Sequence, residues 1–166
     1  MQGKYRALAV SAAGALTFVG AAFGATKAVF VGTAGPDTIN GTPTADVIYG
    51  KAGDDNLHGR SGNDVIYGGR GNDTIKGGDG NDVEYGGPGN DVLWAGRGAD
   101  ALYGGAGDDV LHAVANDNQL DIVDCGPGHD VAWLNVDEKG KYVIRGCEVR
   151  NWIVPTADQL AEEAGD

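Results

Sequence analysis

Nine aspartates stand nine residues apart without a slip: Asp37, Asp46, Asp55, Asp64, Asp73, Asp82, Asp91, Asp100 and Asp109. Acid–base catalysis wants two carboxylates in different settings, whereas regular stacking gives every member of a series the same one. Repeated carboxylates suit hard divalent cations, which take oxygen ligands. The residues in phase with them define the element that carries them. Gly32, Gly41, Gly50, Gly59, Gly68, Gly77, Gly86 and Gly104 open the units, and Ala95 is the one exception. Two residues before the aspartates stand Gly35, Gly53, Gly62, Gly71, Gly80, Gly89, Gly98 and Gly107, with Thr44 the exception. Two residues after them come Ile39, Ile48, Leu57, Ile66, Ile75, Leu93, Leu102 and Leu111, and only Glu84 breaks that column. A fixed period sustained over residues 32–112 specifies a solenoid.

One unit, residues 68–76, reads Gly-Gly-Arg-Gly-Asn-Asp-Thr-Ile-Lys. Its first six residues favour a turn, since glycine permits positive φ and Asn or Asp tolerates it. Its last three suit a strand with one apolar side chain inward. A second period, twice as long, lies over the first. Tyr49, Tyr67, Tyr85 and Tyr103 recur in every second unit, while the alternate units carry Asn40, His58, Lys76, Trp94 and His112. Two units therefore make one coil, twice the period of nine, and the coil has two distinct faces. Asp37, Asp55, Asp73, Asp91 and Asp109 fall in one column; Asp46, Asp64, Asp82 and Asp100 fall in the other. Rungs stack roughly 4.8 Å apart. Like charges at that distance repel by about 1 kcal/mol in water, and more when desolvated. Calcium, with oxygen ligands at about 2.4 Å, spans two rungs, and turn carbonyls can complete its shell. Magnesium demands a tighter octahedron, and zinc wants His or Cys clusters that are missing here.

These units resemble the haemolysin-type, or RTX, calcium-binding nonapeptide repeat over residues 32–112, most closely at 68–76, 86–94 and 104–112. Thr33, Thr42 and Thr44 replace glycines in the first two units. The resemblance implies an all-β, right-handed parallel β-roll solenoid that binds Ca²⁺ between successive turns. It assigns metal binding to all nine aspartates, with up to about seven ions between their pairs.

The formal charge is −12, and no acidic residue occurs before position 29. Such a chain attracts cations and repels nucleic acid and anionic membranes. Lys4 and Arg6 precede an uncharged run from Ala7 to Phe23, the pattern of a signal peptide within residues 1–28. Cleavage is expected near 24–28, before Ala25 or after Ala28. The mature chain is expected outside the cell or at its surface, with no membrane segment.

Cys125 and Cys147 are the only cysteines, and in an exported chain an isolated pair reads as a disulfide. After His112 the phase slips. Asp130 comes three residues later than two units beyond Asp109 would place it, so residues 113–133 read as a looser coil. Residues 134–166 read as a C-terminal cap built from the disulfide, Trp133, Tyr142-Val143-Ile144 and Trp152-Ile153-Val154. Thr156 and Gln159 mark the start of a short terminal helix.

Glu84 falls at an inward position, as a switch, an extra ligand or, the favoured reading, a tolerated defect; the defect reading expects Glu84→Leu to raise stability in saturating calcium. His58 and His112 read as solvated surface residues. The Val/Tyr face of the even units could serve a protein or surface partner. Catalysis is not expected. There is no HExxH, and Ser61, the sole serine beyond the leader, has no G-x-S-x-G around it. The sequence thus points to a secreted calcium-binding repeat protein that folds on binding Ca²⁺, with an extracellular adhesion module as the alternative.

Overall fold

The computed structural model describes residues 6–9, 27–114, 117–135 and 140–153. The expected terminal helix lies outside the described residues, as does the leader apart from residues 6–9 and 27–28. Every described element is a β-strand, numbered β1 to β15 in chain order. One sheet holds β1 (Arg6–Ala9), β2 (Ala28–Val31), β4 (Asp46–Ala52), β6 (Val65–Arg70), β8 (Val83–Pro88), β10 (Ala101–Ala106), β12 (Asp121–Asp124) and β14 (Tyr142–Arg145), in that spatial order. The other holds β3 (Thr38–Asn40), β5 (Asn56–Ser61), β7 (Thr74–Asp79), β9 (Val92–Arg97), β11 (Val110–Ala113), β13 (Val131–Asn135) and β15 (Val149–Ile153). Strands alternate between the sheets and pair in parallel, so the chain winds as a β-solenoid whose strands β2–β15 make seven two-strand coils.

Register follows the repeat. Val47 pairs with Val65 and Val65 with Val83, each two units on. The step lengthens by three residues where Ala101 meets Ile122 and Val110 meets Val131, which absorbs the insertion after His112. The longer step persists where Ile122 meets Val143, and it returns to its former length only between Val131 and Val149.

Strands take a larger share of each unit than six turn residues plus three strand residues would leave. β6 spans six residues because its glycine half stays in the ladder, Gly69 against Lys51 and Arg70 against Ala52. The tight turn shrinks to Gly71-Asn72-Asp73. There Gly71 has φ +127°, and a Cβ on it would stand 2.2 Å from the Gly53 carbonyl oxygen of the coil before. No residue but glycine fits so close a stack. Lys51 (φ 90°) and Arg60 (φ 83°) take positive φ at the second position of their units, where most other units place glycine.

Alternation along each strand sends one apolar side chain inward. Ile48, Leu57, Ile66, Ile75, Leu93, Leu102 and Leu111 are fully buried in a single file. Each contributes roughly 1.5–3 kcal/mol of burial. At the C-terminal end Tyr142, Ile144 and Trp152 pack on this file and close it. The Tyr142 hydroxyl donates to the Ala113 carbonyl at 2.8 Å and accepts the Asn135 N–H at 3.2 Å. Trp133 does not join this cap. Its position in β13 points outward, where its ring stacks on His112, and Val143 is also turned to solvent. Val154 lies outside the described residues. The Cys125–Cys147 disulfide joins the last two coils.

Candidate metal centre

The nine aspartates stand at the junction of turn and strand, and the winding gathers them into two columns. In the first, the Asp37 N–H donates to Asp55 Oδ1 at 2.8 Å, Asp55 to Asp73 at 2.8 Å, Asp73 to Asp91 at 2.7 Å and Asp91 to Asp109 at 2.8 Å. In the second, Asp46 donates to Asp64 at 2.7 Å, Asp64 to Asp82 at 2.8 Å and Asp82 to Asp100 at 2.8 Å. One oxygen of each later carboxylate is thus fixed by the backbone of the rung before it.

The other oxygen is turned inward, toward the glycine that opens its own unit. A Cβ on Gly50 would stand 2.3 Å from Asp55 Oδ2 and 2.5 Å from the Gly68 carbonyl oxygen. The same pairing of a carboxylate oxygen and a next-rung carbonyl recurs at Gly59, Gly68, Gly86 and Gly104. Asp55, Asp64, Asp73, Asp82, Asp91, Asp100 and Asp109 are at most 3 % exposed, yet their Oδ2 atoms receive no hydrogen bond. A buried anionic oxygen without a donor is costly unless a cation or a proton meets it.

The acidities carry that cost. Loss of solvation, opposed by the backbone donor and reinforced by neighbouring carboxylates, pushes Asp55 and Asp109 up to about 6 and Asp91 to about 7. In the second column desolvation raises Asp82 to about 7, Asp64 to about 8 and Asp100 to about 9. Asp46 and Asp73 rise for the same first reason. Bare, these groups hold protons at a pH where an ordinary aspartate has none.

A family model described as the RTX calcium-binding nonapeptide repeat (4 copies) matches residues 31–66, 49–84 and 85–120. The chain belongs to this family. No curated protein and no solved structure matches the chain. The donor set of these RTX repeats fits calcium: hard, anionic, all-oxygen, with ligands from two rungs at once. Among the described residues no three His, Cys, Asp or Glu side chains form a ready-made cage, so backbone carbonyls must share the coordination. Asp55 to Asp109 would hold such ions through Oδ2, and Ca²⁺ would supply the positive charge that the columns lack.

The ends of the columns differ from the middle. Thr33 donates its N–H (2.6 Å) and its hydroxyl (3.0 Å) to Asp37 Oδ2, and Thr42 does the same for Asp46 at 2.6 and 3.0 Å. The threonines that interrupt the glycine pattern therefore cap the first aspartate of each column. At the far end the columns outlast the regular repeat. Asp100 donates to Asp121 Oδ1 at 3.0 Å, Asp109 to Asp130 Oδ1 at 2.8 Å, and Asp130 to Glu148 Oε2 at 2.7 Å. Asp130 is fully buried, with Oδ2 again lacking a donor. The turn pattern before Asp130 marks it in the sequence despite the three-residue offset, whereas Asp121 and Glu148 carry no such mark.

A further ladder lies outside each column. Asp54 accepts from the Asn72 N–H at 2.8 Å, Asn72 from Asn90 at 2.8 Å, Asn90 from Asp108 at 2.9 Å, and Asn63 from Asn81 at 3.0 Å. Its signal in the sequence is an Asn/Asp column one residue before the aspartates.

His112 is not a solvated surface residue. It stacks between Trp94 (4.9 Å) and Trp133 (6.1 Å), and burial pulls its pKa down to about 4. His58 is half-buried in the same outward column.

Proposed function

We propose that this protein is a secreted calcium-binding repeat protein whose roll is completed by Ca²⁺ bound between stacked turns. The observation that carries the reading is the two columns of buried Oδ2 atoms without donors, most of them close to a backbone carbonyl of the next rung. Binding energy then becomes folding energy. An N-terminal leader cleaved near residues 24–28 delivers the chain to millimolar extracellular calcium, and up to about seven ions bind. Its role is binding rather than catalysis. Circular dichroism of the exported form, titrated with calcium from chelator, tests this. We expect a coil-to-β transition at or below millimolar Ca²⁺, absent with Mg²⁺. An unchanged β spectrum after exhaustive chelation would overturn it.

One observation favours a second use of the same scaffold, as an adhesion or interaction module. Tyr49, Tyr67, Tyr85 and Tyr103 stack in parallel at 4.9–5.0 Å on the outer face of the larger sheet. Beside them Lys51, Arg70, Tyr67, Tyr85 and Pro88 line a groove of about 490 Å³. Replacing Tyr67 and Tyr85 by serine should abolish capture of a surface partner in a pull-down while leaving the calcium response intact. Unchanged capture removes the tyrosine face from consideration.

A further inference from the structure

Among the described residues, Glu84 is the one charged side chain in the apolar file. It occupies in β8 the place that Ile48, Ile66 and Leu102 hold in β4, β6 and β10, and it is fully buried. Asp82 lies two residues earlier in the chain, so both carboxylates face inward.

The surroundings of Gly77 distinguish this coil. The point where a Cβ on Gly77 would stand lies 2.5 Å from the Ala95 carbonyl oxygen, 2.5 Å from Asp82 Oδ2 and 2.6 Å from Glu84 Oε1. At Gly50, Gly59, Gly68, Gly86 and Gly104 the nearest atoms include one carboxylate oxygen from a single aspartate and one carbonyl. Only at Gly77 does a second carboxylate enter. Asp82 itself is 1 % exposed, and its Oδ2 receives no hydrogen bond. Glu84 and Ala95, each a break in a repeat column, supply two of the three converging oxygens.

We propose that Glu84 is a metal ligand: its Oε1 joins Asp82 Oδ2 and the Ala95 carbonyl in a divalent-cation site between the rungs of Asp82 and Asp100, with one more anionic ligand than its neighbours. Three oxygens, two of them carboxylate, converge beside the Gly77 α-carbon, and such a set is of the hard kind that calcium selects. Affinity in such sites rises with ligand charge, which is greater here than elsewhere in the column. This site therefore fills first, and Glu84 anchors the order of filling. The inference rests on the calcium reading above and deepens it at one position.

Calorimetric titration of the exported chain with CaCl₂, in parallel with Glu84→Leu and Glu84→Gln, tests it. The wild type should bind several ions with one step tighter than the rest. Glu84→Leu should lose one ion or weaken that step at least tenfold, while the other steps stay within twofold. Glu84→Gln keeps the volume and one oxygen but not the charge, so it reports on ligation even where leucine disturbs the coil. It should weaken the tightest step to an intermediate degree. If the wild type binds calcium and both variants match it in number and affinity, Glu84 is only a buried acid and the proposal falls alone. If the wild type binds no calcium, the broader reading falls with it.

Discussion

At the scale of single residues, backbone geometry sets the hierarchy. Gly71, at φ +127° with its α-carbon against the Gly53 carbonyl, admits no side chain. Gly71→Ala should destabilise the calcium-loaded roll by about 2–5 kcal/mol, combining strain and overpacking. Arg60, at φ 83° and exposed, bears strain that glycine would relieve. Arg60→Gly should gain about 1 kcal/mol, since the relief exceeds glycine's entropic cost. Thermal melts in saturating calcium check both. Thr33 and Thr42 teach a related lesson. In the sequence they are flaws in a glycine pattern, and their use as lids on Asp37 and Asp46 depends on hydroxyl positions that no spacing encodes.

At the scale of elements, the repeat makes the strands, their parallel pairing and the inward residues legible, because each unit states the same local preferences. Ile48, Leu57 and Ile66 are buried for the reason their period gives. Where the phase shifts by three residues, local patterns no longer say which side chains meet. The period puts Trp94 and His112 in one column, and the turn pattern recovers Asp130 despite its offset, but neither shows that Asp121 and Glu148 extend the acidic columns or that Trp133 extends the ring stack. The cap is readable only in part: Tyr142 and Trp152 close the file, but Trp133 belongs to an outer face. The disulfide ties this least regular end together. Cys147→Ala should cost about 3 kcal/mol, the loop-closure value for its span, in a chemical-denaturation curve taken in calcium.

At the scale of the whole molecule, proton and cation compete for the same oxygens. Unfolded aspartates titrate near pH 4, whereas Asp82 and Asp91 lie at about 7, Asp64 at about 8 and Asp100 at about 9 in the fold. With these pKa values raised, the folded chain holds more protons than the unfolded one, so the ion-free roll loses stability as pH rises from about 4 to about 9. In chelator, β-structure followed by circular dichroism should be strongest near pH 4 and vanish toward pH 9. In calcium the slope reverses, because the ions displace those protons, and apparent affinity climbs over the same range. A pH-independent affinity would contradict the burial of these carboxylates.

The covalent link between coils six and seven also gives the process a direction. In a stack where each rung templates the next, the first rung is the costly one, because it closes a loop with nothing to lie against. A chain already tied at Cys125 and Cys147 has met much of that cost at one end only. Growth of ordered structure then starts at the disulfide-linked coils and travels toward the N-terminal ones, so the least regular part of the stack becomes the seed for the most regular.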